Sequence, residues 1–183
     1  MLFRSTVGVV HDLSQLHIKG KYDAFRTWYV LKLLPMVIRK LNRVVTVSHS
    51  TARDVASYIG IPRHKIQVIH NGVDAAEFSF QHRDLAKARV SLNLGIKSPY
   101  LLYTARLEHP GKNHINLLQA IANIKKKGQL RHKLVLAGGR WNGAEVIEAR
   151  VKELGLEQDV IFTGFVPQED LPALVAGADV FVF

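Results

Sequence analysis

The stretch that most constrains the fold is residues 99–116, PYLLYTARLEHPGKNHIN, where an apolar strand pattern runs into a polar loop and then a helix. The apolar run from Tyr100 to Thr104 predicts a short strand, and an amphipathic pattern begins near Asn113. The loop between them carries Arg106 and Lys112. A helix start offers unpaired N–H groups and the positive end of the helix dipole. The two cations therefore predict a phosphate or diphosphate site, although two solvated loop cations would look the same.

Strand and helix patterns alternate along most of the chain. From residue 99 the sequence predicts strands at 100–104, 133–137, 159–163 and 179–183, with helices at 113–127, 143–154 and 168–176. Before residue 74 it predicts strands at 7–10, 43–47 and 65–69. Strands joined by helical crossovers form parallel, doubly wound sheets. The expected fold is α/β, with two Rossmann-like parallel-sheet halves, both incomplete because each has few strands.

The composition limits the partners that the chain can bind. A formal charge of +10 suits anionic partners, such as nucleotides, nucleic acid or an acidic membrane leaflet. The absence of cysteine excludes disulfides and Cys-ligated zinc, and nine histidines without an HExxH-type spacing predict no bound metal. Neither a signal peptide nor an apolar run of about 20 residues is visible, so a cytoplasmic location is expected.

A basic stripe follows one side of the helical stretch at 23–41, which also contains Pro35. Trp28, Lys32, Arg39 and Arg43 recur at spacings of four, seven and four. An aromatic and several cations on one face suit peripheral contact with an acidic membrane, whereas a plain solvated face is the alternative. Pro35 is expected to kink the helix near its middle.

Short segments of polar residues or glycines follow four of the predicted strands. His11 and Asp12 come directly after the strand at 7–10, where sites collect in α/β sheets, although His11 could equally be a solvated loop residue. Ser48 or Ser50 can cap the helix after the second strand. Asn71–Gly72 is a strong turn signal, and Gly138 with Gly139 follows the strand at 133–137.

These segments together resemble the family-four glycosyltransferases with the GT-B fold. ARLEHPGKNHINLLQAI is similar to the donor-phosphate motif of that family, and VVTVSHSTARDV, IQVIHNGVD, KLVLAGG and DVIFTGFVPQEDLPALVAGADVFVF follow the family's order. The resemblance implies that Arg106 and Lys112 bind the diphosphate of a sugar nucleotide. It also places His11 near the reacting sugar.

The same resemblance gives roles to several backbone segments. Gly164, Phe165 and Val166 would lie along the nucleobase, although Phe165 could instead be a core residue. Asn71, Gly72 and Gly138 would line the cleft between domains. The implied domains are a partial acceptor-side half at 1–74, a connection at 75–98 with a short helix at 84–92, and a partial donor half at 99–183.

The resemblance predicts a hexosyltransferase that uses a UDP-, GDP- or ADP-sugar, retains the anomeric configuration and needs no bound metal or cofactor. Its acceptor would be a sugar or a lipid-linked sugar. The family's Glu-x7-Glu segment is absent from the 183 residues, so the chain is interpreted as an internal fragment, inactive alone. A GT-B sugar-nucleotide epimerase or phosphorylase is the first alternative. A basic nucleic-acid-binding module is the second, but the cations at 125–127 suit the end of a helix and no nucleic-acid partner is expected.

Overall fold

The computed structural model describes residues 5–18, 24–79, 81–97 and 99–183. The chain divides into two units, Met1–Gly72 and Val73–Phe183. Each unit is built on its own parallel sheet. The predicted α/β class and its division into two parallel-sheet halves are confirmed.

Unit 1 contains a three-stranded sheet in the order β1-β2-β3. The strands are β1 (Val7–Val10), β2 (Arg43–Thr46) and β3 (Ile66–Val68). The helical segments are a 3-10 turn (Ser14–Leu16), α1 (Ala24–Trp28), a π turn (Tyr29–Leu33), α2 (Leu34–Arg39), α3 (His49–Asp54), a second π turn (Val55–Ile59) and a second 3-10 turn (Arg63–Lys65). Val44, Val55 and Ile59 are fully buried and form the centre of this unit's core.

The helix predicted across 23–41 is divided by a π turn that the sequence reasoning did not foresee; residue 23 itself lies outside the described residues. The Leu34 N–H bonds to the Tyr29 carbonyl, and Pro35 opens α2 in its first turn. Pro35 has no N–H to give to the Leu31 carbonyl. The Tyr58 hydroxyl donates to that carbonyl instead, at 3.3 Å. The proline thus lies in the first turn of α2, and a side chain from another helical segment donates a hydrogen bond to the carbonyl that it leaves free.

Unit 2 contains a four-stranded sheet in the order β6-β5-β4-β7. The strands are β4 (Tyr100–Thr104), β5 (Lys133–Ala137), β6 (Val160–Gly164) and β7 (Val180–Val182). The helices are α4 (Arg83–Leu94), α5 (His114–Lys126), α6 (Ala144–Glu153) and α7 (Leu171–Gly177). Because the strands are parallel, their carboxyl ends and the loops that follow meet at one edge.

Two apolar cores lie on opposite faces of the unit 2 sheet, as the alternation of β5 requires. Leu134 and Leu136 pack with α5 and α6, whereas Val135 and Ala137 pack with α4 and α7. A sheet covered by helices on both faces is a doubly wound, Rossmann-like half.

The segment 75–98, predicted as a connection, is part of unit 2 in the structure. Its helix α4 is longer than predicted and packs on α7, burying Val90. Asp170, directly before α7, accepts hydrogen bonds from Arg89 Nε at 2.8 Å and Asn93 Nδ2 at 3.0 Å. These polar contacts link two helices on the same face of the sheet.

Candidate functional site

Hydrogen bonds align the loop after β4 with the loop after β5. The Leu107 N–H donates to the Gly139 carbonyl at 3.0 Å, and the Trp141 N–H returns a bond to the Leu107 carbonyl at 3.2 Å. The His109 N–H donates to the Asn142 carbonyl at 3.0 Å. The parallel register of the strands therefore continues into both loops, and it brings Arg106 beside Trp141.

Gly138 permits this close approach. A Cβ added at Gly138 would overlap the Ala105 carbonyl and lie 2.9 Å from the Arg106 nitrogen, whereas one added at Gly139 would meet nothing within 4 Å. The glycine is thus explained by the backbone that carries Arg106. Its predicted place along a cleft stays a prediction.

The Arg106 guanidinium is exposed yet held on two sides. Its Nη2 donates to Glu108 Oε2 at 3.0 Å, and Glu108 is only 7% exposed. The guanidinium carbon lies 4.7 Å from the Trp141 ring centroid, a cation–π arrangement. One edge of the guanidinium thus has a fixed partner, while five N–H donors leave several for another ligand.

Lys112 lies at the other end of the loop, next to the start of α5. Its side chain is exposed, and no carboxylate forms an ion pair with it within the described ranges. Its carbonyl accepts a 2.7 Å hydrogen bond from the Tyr103 hydroxyl. Asn113 then takes a left-handed conformation (φ 55°) and makes no side-chain cap, so the first N–H groups of α5 keep no such partner.

His114, the first residue of α5, is a buried histidine that sequence reasoning missed. It is 1% exposed, and neither ring nitrogen has a hydrogen-bond partner among the residues that the structure describes. Its ring meets the Tyr103 ring edge-on at 5.1 Å. Burial lowers the pKa of His114, and the main chain of Glu108 raises it by a smaller amount. No spacing marked this residue, because its burial depends on how the loop folds over it.

This edge of the unit 2 sheet can bind an anion. It combines two cations with the free N–H groups and the positive dipole end of a helix. Arg106 offers a planar fork and Lys112 a mobile point charge, which together suit the separated charges of a diphosphate. Lys125 and Lys126 lie in the last turn of α5, where the sequence predicted the cation-rich segment at 125–127. Lys125 Nζ donates to Asp159 Oδ2 at 2.6 Å at the far end of α5.

The predicted nucleobase loop follows β6, two strands from β4 in the sheet. Gly164 has a φ of 69° and ends the strand. Phe165 is 82% exposed, so the alternative that it is a core residue is wrong. Val166 packs partly against the core formed with α4 and α7.

The polar residues predicted in unit 1 lie at the carboxyl ends of its strands. His11 is exposed directly after β1, and its carbonyl accepts from Thr51 Oγ1 at 3.2 Å. Asp12 Oδ1 accepts from the Ser14 N–H at 2.9 Å and begins the 3-10 turn. Ser48 caps α3 through its hydroxyl at 3.0 Å from the Thr51 nitrogen, as predicted. Asn71 and Gly72 are exposed where unit 1 ends.

Two of the four residues in the predicted basic stripe donate hydrogen bonds to main-chain carbonyls within unit 1. Arg39 Nε donates to the Ile59 carbonyl at 2.7 Å, and Arg43 Nη1 donates to the His64 carbonyl at 2.7 Å. Trp28 and Lys32 are exposed. Among the described residues, no helix is long and apolar enough to cross a membrane, and no three His, Cys, Asp or Glu side chains gather as metal ligands.

The fold defines the class of this protein, because both units are Rossmann-like halves of the GT-B type. The family description "Glycosyl transferases group 1" matches residues 86–183, and "Glycosyltransferase Family 4" matches residues 3–77. The chain belongs to this family of glycosyltransferases.

Similar proteins are longer than this chain. The serotype-specific mannosyltransferase WbdA of Escherichia coli is 30% identical over an alignment that covers 97% of this chain and 22% of that protein. The GDP-mannose-dependent α-(1-6)-phosphatidylinositol monomannoside mannosyltransferase of Mycolicibacterium smegmatis is 29% identical over 84% of this chain and 40% of its own length. Anabaena HepE, solved in complex with UDP-glucose, has a TM-score of 0.75 at 24% identity over 97% of this chain and 46% of its own. The chain spans less than half of each.

Proposed function

We propose that this chain is part of an enzyme that transfers a sugar from a nucleotide-sugar donor to an acceptor, and that Arg106 and Lys112 bind the donor diphosphate. The observation that carries the proposal is the exposed Arg106 guanidinium, which Glu108 and Trp141 hold on the loop leading to the uncapped start of α5. That arrangement fits an anion with more than one charged group.

The proposed chemistry depends on charge that develops as the sugar leaves. Negative charge grows on the diphosphate when its bond to the sugar breaks, and cations already in place stabilise that charge without reorganisation. Arg106 and Lys112 would serve this purpose in place of a metal ion. We further propose that the transfer retains the anomeric configuration, as the family resemblance implies.

The donor base is open among uracil, guanine and adenine. WbdA is named a mannosyltransferase, the Mycolicibacterium smegmatis relative is named as dependent on GDP-mannose, and HepE was solved with UDP-glucose. These names support a nucleotide-sugar donor of some kind. We propose that the loop of Gly164, Phe165 and Val166 contacts the base, and the exposure of Phe165 is compatible with that role.

Calorimetric titration with UDP, GDP and ADP tests the diphosphate site. One nucleotide should bind, and Arg106→Ala and Lys112→Ala should each weaken it by about 1.5–3 kcal/mol, the usual worth of a hydrogen bond to a charged group. Lys127→Ala and Arg131→Ala are matched controls, because both residues are exposed and lie at the opposite end of the unit 2 sheet, after α5 and before β5.

Two outcomes would contradict the proposal. Unchanged nucleotide affinity in both site variants would remove the diphosphate role. Salt-dependent binding to DNA or RNA in preference to the nucleotides would favour the nucleic-acid alternative.

We propose that His11 acts near the transferred sugar or the acceptor, which is a sugar or a lipid-linked sugar. Its support is its exposed position directly after β1. In the whole enzyme that contains this chain, His11→Ala should then lower the transfer rate while leaving nucleotide affinity unchanged. A loss of nucleotide affinity as large as the loss of rate would contradict this role for His11.

We also propose a cytoplasmic protein whose Trp28/Lys32/Arg39/Arg43 face contacts an acidic membrane peripherally. Residues 1–72 hold 11 of the 25 Lys and Arg but 3 of the 15 Asp and Glu, a formal charge of +8 of the total +10. Exposed apolar side chains accompany that charge on α1 and α2, among them Phe25, Trp28 and Met36. Aromatic and cationic groups together favour an anionic interface.

Sedimentation with lipid vesicles tests the membrane contact. The chain should bind vesicles that contain phosphatidylglycerol, bind pure phosphatidylcholine weakly, and lose binding in the Trp28→Ala/Lys32→Glu variant, whereas Lys127→Ala should bind as the parent does. Equal sedimentation with both kinds of vesicle, or an unaffected variant, would refute this contact.

A further inference from the structure

Two neighbours of Arg106 lie in positions that the proposed diphosphate site does not by itself explain. Glu108 is a carboxylate beside a site that we propose for an anion, and it is nearly buried although it carries charge. Trp141 is a large aromatic side chain that is 53% exposed on the neighbouring loop. Each arrangement is unfavourable by itself, since the carboxylate repels an anion and the exposed indole is poorly solvated.

Both neighbours contact the Arg106 guanidinium. Glu108 Oε2 accepts from Nη2 at 3.0 Å, and the guanidinium carbon lies over the Trp141 ring, 4.7 Å from its centroid. An unrestrained arginine samples many rotamers, and ordering such a side chain on binding costs conformational entropy. The loop hydrogen bonds between Leu107 and Gly139 and between Trp141 and Leu107 fix the distance between the two supports.

We propose that Glu108 and Trp141 are positioning residues that order the Arg106 guanidinium before the ligand arrives and leave its remaining N–H groups for the diphosphate. This inference rests on the function proposed above. Glu108 uses one of the five guanidinium donors, so its contact does not compete with a bidentate phosphate. Its negative charge weakens anion binding somewhat, and the preordered arginine compensates for that loss.

The first test needs no ligand. In a spectrum of the arginine Nε–Hε groups of ¹⁵N-labelled protein, the Arg106 signal is identified by its loss in Arg106→Lys. Because protons held over an indole face are shifted upfield by the ring current, that signal should lie upfield and move to the position of a mobile arginine in Trp141→Leu and in Glu108→Ala. An Arg106 signal that already coincides with mobile arginines, or that stays in place in Glu108→Ala, would overturn the inference.

The second test compares two changes at Glu108 by titration with UDP, GDP and ADP. Glu108→Gln and Glu108→Ala both remove the negative charge, but only glutamine keeps an acceptor for Nη2. The alanine variant should bind about threefold to tenfold more weakly than the glutamine variant, the cost of ordering one long side chain. Glu148→Gln and Glu148→Ala are the matched control pair, because Glu148 pairs with Arg140 rather than Arg106.

The outcomes separate the two proposals. Equal affinities in the two Glu108 variants would refute the positioning role while leaving the diphosphate site intact. If none of the three nucleotides binds the parent chain, the proposed function fails for this chain, and the arginine spectrum still decides whether Glu108 and Trp141 hold Arg106.

Discussion

The Tyr103 hydroxyl donates a 2.7 Å hydrogen bond to the carbonyl of Lys112, so the strand that leads into the anion loop also fixes the loop's far end. A tyrosine hydroxyl is protonated at neutral pH and can donate, and burial raises the pKa of Tyr103 further above that range. The same ring lies edge-on against His114. Strand, loop and helix start are thereby joined around one tyrosine.

Removing this hydroxyl should loosen the loop. Tyr103→Phe keeps the ring but leaves the Lys112 carbonyl without its donor, and we expect a loss of about 1 kcal/mol in the free energy of unfolding. Urea unfolding followed by Trp141 fluorescence, in a Trp28→Phe background, reports on unit 2. Tyr29→Phe, at an exposed tyrosine of unit 1, is the control. Equal stability of the Tyr103 variant and its parent would show that the bond does not hold the loop.

The two adjacent glycines after β5 should respond differently to alanine. Gly138→Ala forces the loop after β4 away from the loop after β5, and overpacking of this kind costs about 1–3 kcal/mol. Gly139→Ala adds a methyl group where nothing lies within 4 Å, so it should change stability little. The same fluorescence-detected unfolding measures both. Similar losses in the two variants would contradict the close approach seen at Ala105.

The buried His114 should make unit 2 sensitive to acid. Because burial lowers its pKa in the folded chain, the unfolded chain binds the proton more readily below about pH 6.5, the ordinary pKa of histidine. Stability that is fully present above this pH is therefore lost as the pH falls toward the lower, folded pKa. Electrostatic interactions with His109 and Lys112 lower the pKa of His114 in the same direction as burial.

A phenylalanine at this position isolates the effect. His114→Phe keeps an aromatic ring against Tyr103 but cannot take up a proton. Between about pH 7.5 and pH 5, the parent should lose more free energy of unfolding than the variant does. Parallel losses in the two proteins would show that the pKa of His114 is not lowered in the folded chain.

The contact between α4 and α7 should depend on Asp170. Hydrogen bonds from Asn93 and then Arg89 lower the pKa of this carboxyl, so its contribution is present above about pH 3.9 and is lost as the pH falls through the folded pKa. Asp170→Asn should lower the thermal midpoint of unit 2 at neutral pH, and the difference should shrink in acid. Glu169→Gln, at the exposed neighbouring residue, is the control. A midpoint that does not change in Asp170→Asn would show that this contact is dispensable.

Sequence reasoning found the elements whose signals are local. The strands at 7–10, 100–104 and 133–137 were predicted with the bounds that the structure has, because apolar runs between polar loops define them. A serine cap at Ser48 or Ser50 was predicted because both precede a helical pattern, and Ser48 is the residue that caps α3. The ordered set of motifs predicted the family, which the comparisons confirm.

What the sequence could not reveal depends on contacts between distant segments. Glu108 and Trp141 are 33 positions apart and meet at Arg106 only because two neighbouring strands continue their register into their loops. The packing of α4 was missed because its largely polar sequence resembles a linker and its contacts are with α7. The π turn before Pro35 was also missed. The Leu31 carbonyl in that turn accepts a hydrogen bond from Tyr58, which is 27 positions away in the sequence.

A crystal structure of the chain with the tightest-binding nucleoside diphosphate tests the central claim most directly. The account predicts the two phosphates against the Arg106 guanidinium, the Lys112 ammonium and the first N–H groups of α5, with Arg106 still stacked on Trp141. A nucleotide whose phosphates lie away from this loop, or whose binding leaves Arg106 and Lys112 without a phosphate contact, would contradict it.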